Sequence, residues 1–152
     1  MDGGLGTVLT PTDIVMACSA DSMEEAIEFS GRLLVCRGSV SAEYIEGMKQ
    51  RERVVSTYLG NGVALPHGVL ESKQYIRSTG VVVAQYPRGV DWGGCGTAHL
   101  VVGLAAVGDD HMRVLSQLAS VLQDEELCRE LAQVDDAASI YECLSAVPSD
   151  DD

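Results

Sequence analysis

The sequence predicts a single α/β domain, a central sheet covered by helices. Length is the first observation behind this: 152 residues are enough for one domain with a full core. The second is alternation, since stretches with helical apolar spacing follow one another with short valine-rich runs between them. The third is composition: 46% hydrophobic and 22% charged residues are ordinary for a globular chain. The longest apolar runs, such as residues 100–107, are far too short to span a bilayer. The expected organisation is a flexible glycine-rich leader over 1–9, the domain over 10–147 and an acidic tail over 148–152.

Residues 12–18 form a short strand in this reading. Ser22 with Glu25 three residues on makes a capping box. Met23, Ala26, Ile27, Leu33 and Leu34 then follow helical spacing until Gly38 stops the helix. A second helix starts on Ser41 and runs through Ile45 and Met48 to about Arg53, with a charged outer face. Gly60-Asn61-Gly62 is a tight turn, and residues 63–65 are a short strand. A helical segment covers about 70–77. The valine-rich run 79–86 reads as a buried strand. Pro87-Arg88-Gly89 is turn chemistry, so residues 90–92 are expected to fold back as a hairpin. After a second glycine loop, Gly93-Gly94-Cys95-Gly96, residues 98–107 make the most apolar strand. Asp109 or Asp110 caps the next helix, whose core face is Val114, Leu115, Leu118 and Leu122. Asp124 starts a short helix through Leu131, and a last helix over 137–144 turns Ile140, Tyr141 and Leu144 inward.

Charge and cysteines narrow the function. The net charge of −13, from 10 basic and 23 acidic residues, argues against nucleic acid, which needs a basic face. It suits solubility and the steering of a basic protein partner. The five cysteines are odd in number, widely spread and without a CxxC pair, which fits a reducing compartment and core packing. The start of the chain lacks the pattern of a signal peptide. A cytoplasmic location is expected, without membrane insertion.

The chemistry concentrates on Tyr58-Leu59-Gly60-Asn61-Gly62-Val63-Ala64-Leu65-Pro66-His67-Gly68. Pro66 fixes its own φ and restricts Leu65, and Gly68 opens conformations closed to other residues. His67 is therefore aimed from a strand end, unless it is a loop histidine without a task. His111 follows the apolar strand and sits in the first turn of the next helix. Ligands of α/β sheets bind beyond the carboxyl ends of strands, so the two imidazoles can share a pocket. A helix N-terminus offers free N–H groups and partial positive charge, which suits an anion such as phosphate and keeps His111 neutral. His99, inside the apolar strand, reads as a packed or edge histidine without a role. The three histidines match no zinc motif. Arg51, taken alone, is a surface charge at a helix end.

The segment carrying His67 closely resembles the active-site segment of the enzyme IIA components of the mannitol–fructose type in the bacterial sugar phosphotransferase system. The similarity continues through residues 79–87, Gly89-Val90, residues 101–106, Asp110-His111 and Gln50-Arg51-Glu52, and covers roughly 12–144. Gln85-Tyr86-Pro87 and Leu59-Gly60-Asn61-Gly62 look most like the mannitol branch. The resemblance implies that the central sheet is mixed. It implies that His67 carries the phosphoryl group, that His111 hydrogen-bonds the phosphate, and that Arg51 neutralises its charge. It also implies phospho-HPr as donor, a cysteine of a IIB domain of a membrane IIBC permease as acceptor, and no metal or other cofactor at this step. The glycine-rich residues 93–97 depart from the family's more acidic pattern, and a change at the pocket rim is expected there. Two other readings stand beside transport. One is a regulatory IIA-like module whose phosphorylation controls a protein partner. The other is a metal-dependent hydrolase.

Overall fold

Ile14–Val15 (β1), Tyr58–Gly60 (β2), Val63–Ala64 (β3), Gly80–Asp91 (β4) and Thr97–Ala105 (β5) form one five-stranded sheet. The computed structural model describes residues 8–145. The strand order is β1-β4-β5-β3-β2, with β1 parallel to β4 and β3 parallel to β5. β4 and β5 pair antiparallel, as do β2 and β3, so the sheet is mixed as expected.

Helices cover both faces. Met23–Cys36 (α1) and Glu43–Val54 (α2) pack on one side, where Ile27, Leu34 and Met48 meet Val82, Ala84 and Val101. Asp110–Leu122 (α3), Glu125–Leu131 (α4) and Ala137–Ser145 (α5) take the other, where Leu118, Leu122 and Ile140 meet Val81, Val83, Leu100, Val102 and Leu104. Side chains alternate between the faces along β4 and β5, and both faces are covered, so these strands read as nearly unbroken apolar runs.

Several boundaries differ from the sequence reading. Val8 and Leu9, expected in the loose leader, are buried, and the Val8 carbonyl accepts from Val81 N and from Arg37 Nη1. The rest of the leader and the acidic tail lie outside the described residues. Ser22 Oγ accepts from Glu25 N at 3.1 Å, but the Glu25 carboxylate reaches Asp21 N, one residue before the expected partner. α2 starts two residues after Ser41, with Ala42 at its N-cap and no side-chain cap. Neither aspartate caps α3 through its side chain. Asp110 instead accepts from Thr79 Oγ1 at 2.7 Å and from Arg113 Nη2 at 2.9 Å, which ties the first turn of α3 to the start of β4. Among the cysteines only Cys128 is buried, while Cys36 and Cys95 are exposed.

The largest difference lies at Pro87-Arg88-Gly89. No reversal occurs there. β4 runs on to Asp91, with a register shift between Gln85 and Val90, and Gly89 takes φ +85° in that irregular stretch. The reversal comes instead at 92–96, where Trp92 N donates to the Gly96 carbonyl. A bulge tolerates proline and glycine as readily as a turn does, because both lie where ladder bonds are missing.

One consequence of the topology positions the site. β3 and β5 are parallel neighbours, so the segments leaving their carboxyl ends emerge at the same end of the sheet. Leu104 N donates to the Pro66 carbonyl at 3.0 Å, which holds the chain after β3 against β5.

Candidate active site

The turn before β3 is left-handed throughout: Gly60, Asn61 and Gly62 have φ of +112°, +56° and +79°. Two glycines and an asparagine are the residues that take such angles at least cost. β3 then leads through Leu65 and Pro66 to His67, which is 9% exposed. His67 Nδ1 lies 2.8 Å from the Leu65 carbonyl. A carbonyl only accepts, so Nδ1 carries the proton and donates, and Nε2 keeps its lone pair. The ring is thus held in one tautomer with its nucleophilic nitrogen free.

Gly68 serves space rather than unusual backbone angles. A Cβ there would meet the Tyr44 ring, with Cε1 at 2.6 Å. Tyr44, buried on α2, receives a hydrogen bond from Gly68 N at 2.8 Å and donates to the Leu104 carbonyl at 2.9 Å. Burial pushes its hydroxyl up to about 12, so it remains a donor at neutral pH. One side chain therefore joins α2, β5 and the loop after His67.

His111 is half-buried in the first turn of α3, and its ring centroid is 5.0 Å from that of His67. Arg51, in the last turn of α2, donates from Nη1 to the Val55 carbonyl at 2.5 Å. All three expected residues line one cavity of about 260 Å³, together with Tyr44, Leu70 and Lys73 among others. Lys73, on the 3-10 helix Leu70–Tyr75, was not singled out by sequence reasoning, and neither was Tyr44. The only sequence signal for Lys73 is its place six residues after His67 on a predicted helical segment.

Both imidazoles are held neutral. Burial lowers the pKa of His67, and the nearby His111 and Arg51 lower it further against the opposing pull of the Leu65 carbonyl and Glu52. Burial also lowers that of His111, with Lys73 and Arg51 acting in the same direction. A neutral His111 was expected from the helix N-terminus; burial and the two cations are the causes found.

Glu52, next to Arg51, faces elsewhere. Its carboxylate accepts from Thr57 N, Thr57 Oγ1 and the indole N–H of buried Trp92, and so fixes the end of α2. His99 does not line the cavity. Its Nδ1 donates to the Tyr86 carbonyl at 3.1 Å, and a Cβ on Gly62 or Gly89 would touch its ring. That is the packed histidine the sequence suggested. Residues 93–96 turn between β4 and β5, Thr97 opens β5, and none of them lines the cavity, so the expected change at its rim is not found there. Among the described residues no three of His, Cys, Asp and Glu gather as a metal site. The cavity joins two imidazoles to two cations without a carboxylate, a set that fits an anion.

Exposed apolar side chains lie on the segments that form this cavity, with Leu70 in its lining. Among the described residues the exposed large hydrophobics, Leu59 apart, are Val54, Val55, Leu70, Val107 and Met112, all on the segments that carry Arg51, His67 and His111. No helix among the described residues is long and apolar enough to cross a membrane.

Comparison with known proteins places this arrangement. The family model described as "Phosphoenolpyruvate-dependent sugar phosphotransferase system, EIIA 2" matches residues 7–147. The multiphosphoryl transfer protein of Haemophilus influenzae is 41% identical over 136 residues, which is 90% of this chain and 27% of the relative. The PTS system mannitol-specific EIICBA component of Pasteurella multocida is 41% identical over 142 residues, 91% of this chain and 23% of the relative. The chain thus spans about a quarter of the length of these curated relatives. Among solved structures, the complex of enzyme IIAMTL and phosphorylated enzyme IIBMTL from Escherichia coli superposes with a TM-score of 0.86 at 36% identity, covering 91% of this chain and 99% of that one.

Proposed function

Because the chain belongs to the EIIA 2 family of the phosphoenolpyruvate-dependent sugar phosphotransferase system, we propose that it is a phosphohistidine carrier acting through His67. The observation that carries this reading is the free Nε2 of His67, 9% exposed, neutral, and set beside Arg51 and His111 in one cavity.

The step balances simply. The Nε2 lone pair attacks the phosphorus of a donor phosphohistidine, and the P–N bond to the donor breaks. Its electron pair returns to the donor's imidazole nitrogen. In the onward step an acceptor thiolate attacks the phosphorus, and the pair of the new P–N bond returns to Nε2. The transition state is loose, with charge spread over three oxygens, so the protein mainly positions and stabilises. Arg51 supplies a planar cation for those oxygens and His111 a hydrogen-bond donor.

The donor in this reading is phospho-HPr, and the acceptor is a IIB cysteine of a IIBC permease of the mannitol type. The mannitol-specific relative and the mannitol IIA–IIB complex support that choice. The exposed apolar side chains Val54, Val55, Leu70, Val107 and Met112 on the segments that form the cavity suit protein partners that dock in turn. The location is cytoplasmic, where HPr and the IIB domain meet the carrier. Incubation with phosphoenolpyruvate, enzyme I and HPr should give an acid-labile, base-stable phosphoprotein whose label leaves when the IIB domain and sugar are added. Label that persists in the presence of every mannitol-type and fructose-type IIB would exclude the transport role.

Two further outcomes are expected. His111→Ala should still accept phosphate but pass it on more slowly, by about tenfold for one lost hydrogen bond to a charged group. Chase experiments with the IIB domain measure this, and donation at the normal rate would remove His111 from the site. The second concerns pH. Only neutral His67 is nucleophilic, and its pKa lies below the ordinary 6.5. An unshifted histidine would lose half its acceptor activity at that pH. Here the rate should hold as pH falls through 6.5 and decline only below it. Single-turnover transfer from phospho-HPr across this range tests the sign.

A further inference from the structure

Lys73 has no task in the scheme above, although it lines the same cavity. The chain holds 10 Lys and Arg against 23 Asp and Glu. Arg51 and Lys73 nevertheless both line this cavity, and no carboxylate does. The local charge is therefore opposite to that of the whole protein. No ion pair holds the Lys73 ammonium among the described residues.

The platform under Lys73 is firm. Val69 N donates to the Gly47 carbonyl at 3.2 Å, and Ser72 Oγ donates to the Val69 carbonyl at 2.6 Å. Ser72 is buried against Gly47, where a Cβ would collide with it. The 3-10 helix is thereby fixed on α2, while the Lys73 side chain is exposed and keeps its freedom. Arg51 differs, since one of its nitrogens is tethered to the Val55 carbonyl. A fixed planar fork and a mobile point charge complement each other around a group that moves between two nitrogens.

We propose that Lys73 is a second phosphate-binding residue, whose ammonium contacts the oxygens of the phosphoryl group on His67 Nε2 and shares its charge with Arg51. This rests on the reading of His67 as the phosphoryl acceptor. Lys73 lines the cavity together with His111, and its charge is the largest cause after burial of that imidazole's lowered pKa.

The test compares wild type, Lys73→Gln and Lys73→Arg. Each is phosphorylated with enzyme I and HPr, and the phosphoryl resonance is titrated by phosphorus NMR. Loss of a neighbouring cation should raise the phosphoryl titration midpoint in Lys73→Gln by about half a unit to one unit. Acceptance should slow about fivefold, on the scale of one charged contact in a partly exposed site. Lys73→Arg keeps the charge and should stay near wild type in both. A midpoint in Lys73→Gln equal to that of wild type overturns the proposal, whether or not the rate falls, because a rate effect alone reports partner docking. An unlabelled wild type overturns the reading of His67 and this proposal with it. A labelled wild type with an unmoved midpoint removes Lys73 alone.

Discussion

Replacing His67 by glutamine is expected to abolish phosphoryl acceptance, with labelling from phospho-HPr reduced to background, a loss of more than about a thousandfold. Glutamine has nearly the length of histidine and brings its amide close to where Nε2 sits. That amide lacks a nucleophilic lone pair. Loss of the Nδ1 bond to the Leu65 carbonyl should cost about 1 kcal/mol of stability. The fold should survive, because the surrounding links run through Tyr44, Gly68, Pro66 and Leu104 rather than through the imidazole. A thermal transition lowered by only a few degrees, together with lost label, therefore separates chemistry from stability. If His67→Gln is labelled like the wild type, the acceptor lies elsewhere, and His111 becomes the first candidate.

Arg51→Ala should slow transfer by about 2–3 kcal/mol of barrier, roughly thirty- to a hundred-and-fifty-fold, the scale for one preorganised charged stabiliser. The effect should fall on the rate of the phosphoryl step, since the fork positions and stabilises the three equatorial oxygens over which the charge of the loose transition state is spread. Stability should change little, because the guanidinium's protein bond is a single contact to the exposed Val55. Arg51→Lys should recover part of the rate, since it restores charge without the fork. Rapid-quench transfer from phospho-HPr measures both variants, and an alanine variant as fast as wild type would place Arg51 outside the reaction.

The elements were legible where one physical signal dominates. The apolar face Val114, Leu118 and Leu122 reads as α3, and the valine run reads as β4. Pro87-Arg88-Gly89 misled because a bulge and a reverse turn ask for the same residues, and only strand pairing tells them apart. Ser41 is a good cap by type, yet the helix begins later, with Ala42 as its N-cap. His67 and His111 were legible because strand ends and a helix start mark them locally, while Arg51 came through resemblance. Tyr44 and Lys73 were not legible. Their place in the cavity arises from packing of the 3-10 helix on α2 and from the bond of α2 to β5 through Tyr44, and no local spacing encodes that.

The bond from His67 Nδ1 to the Leu65 carbonyl has a consequence for the proton inventory of the relay. A phosphoryl group arriving on Nε2 finds the ring already protonated on its other nitrogen, and the carbonyl has no proton of its own to exchange. When the group departs, the bond electrons fall back to Nε2 and the original tautomer returns. Neither handover has to draw a proton from solvent or release one to it. The ring is left a good leaving group throughout, so by microscopic reversibility the phosphoryl moves in either direction over the same path, and the net direction of flow is set by the phosphoryl-transfer potentials and phosphorylation states of the partners, not by the carrier.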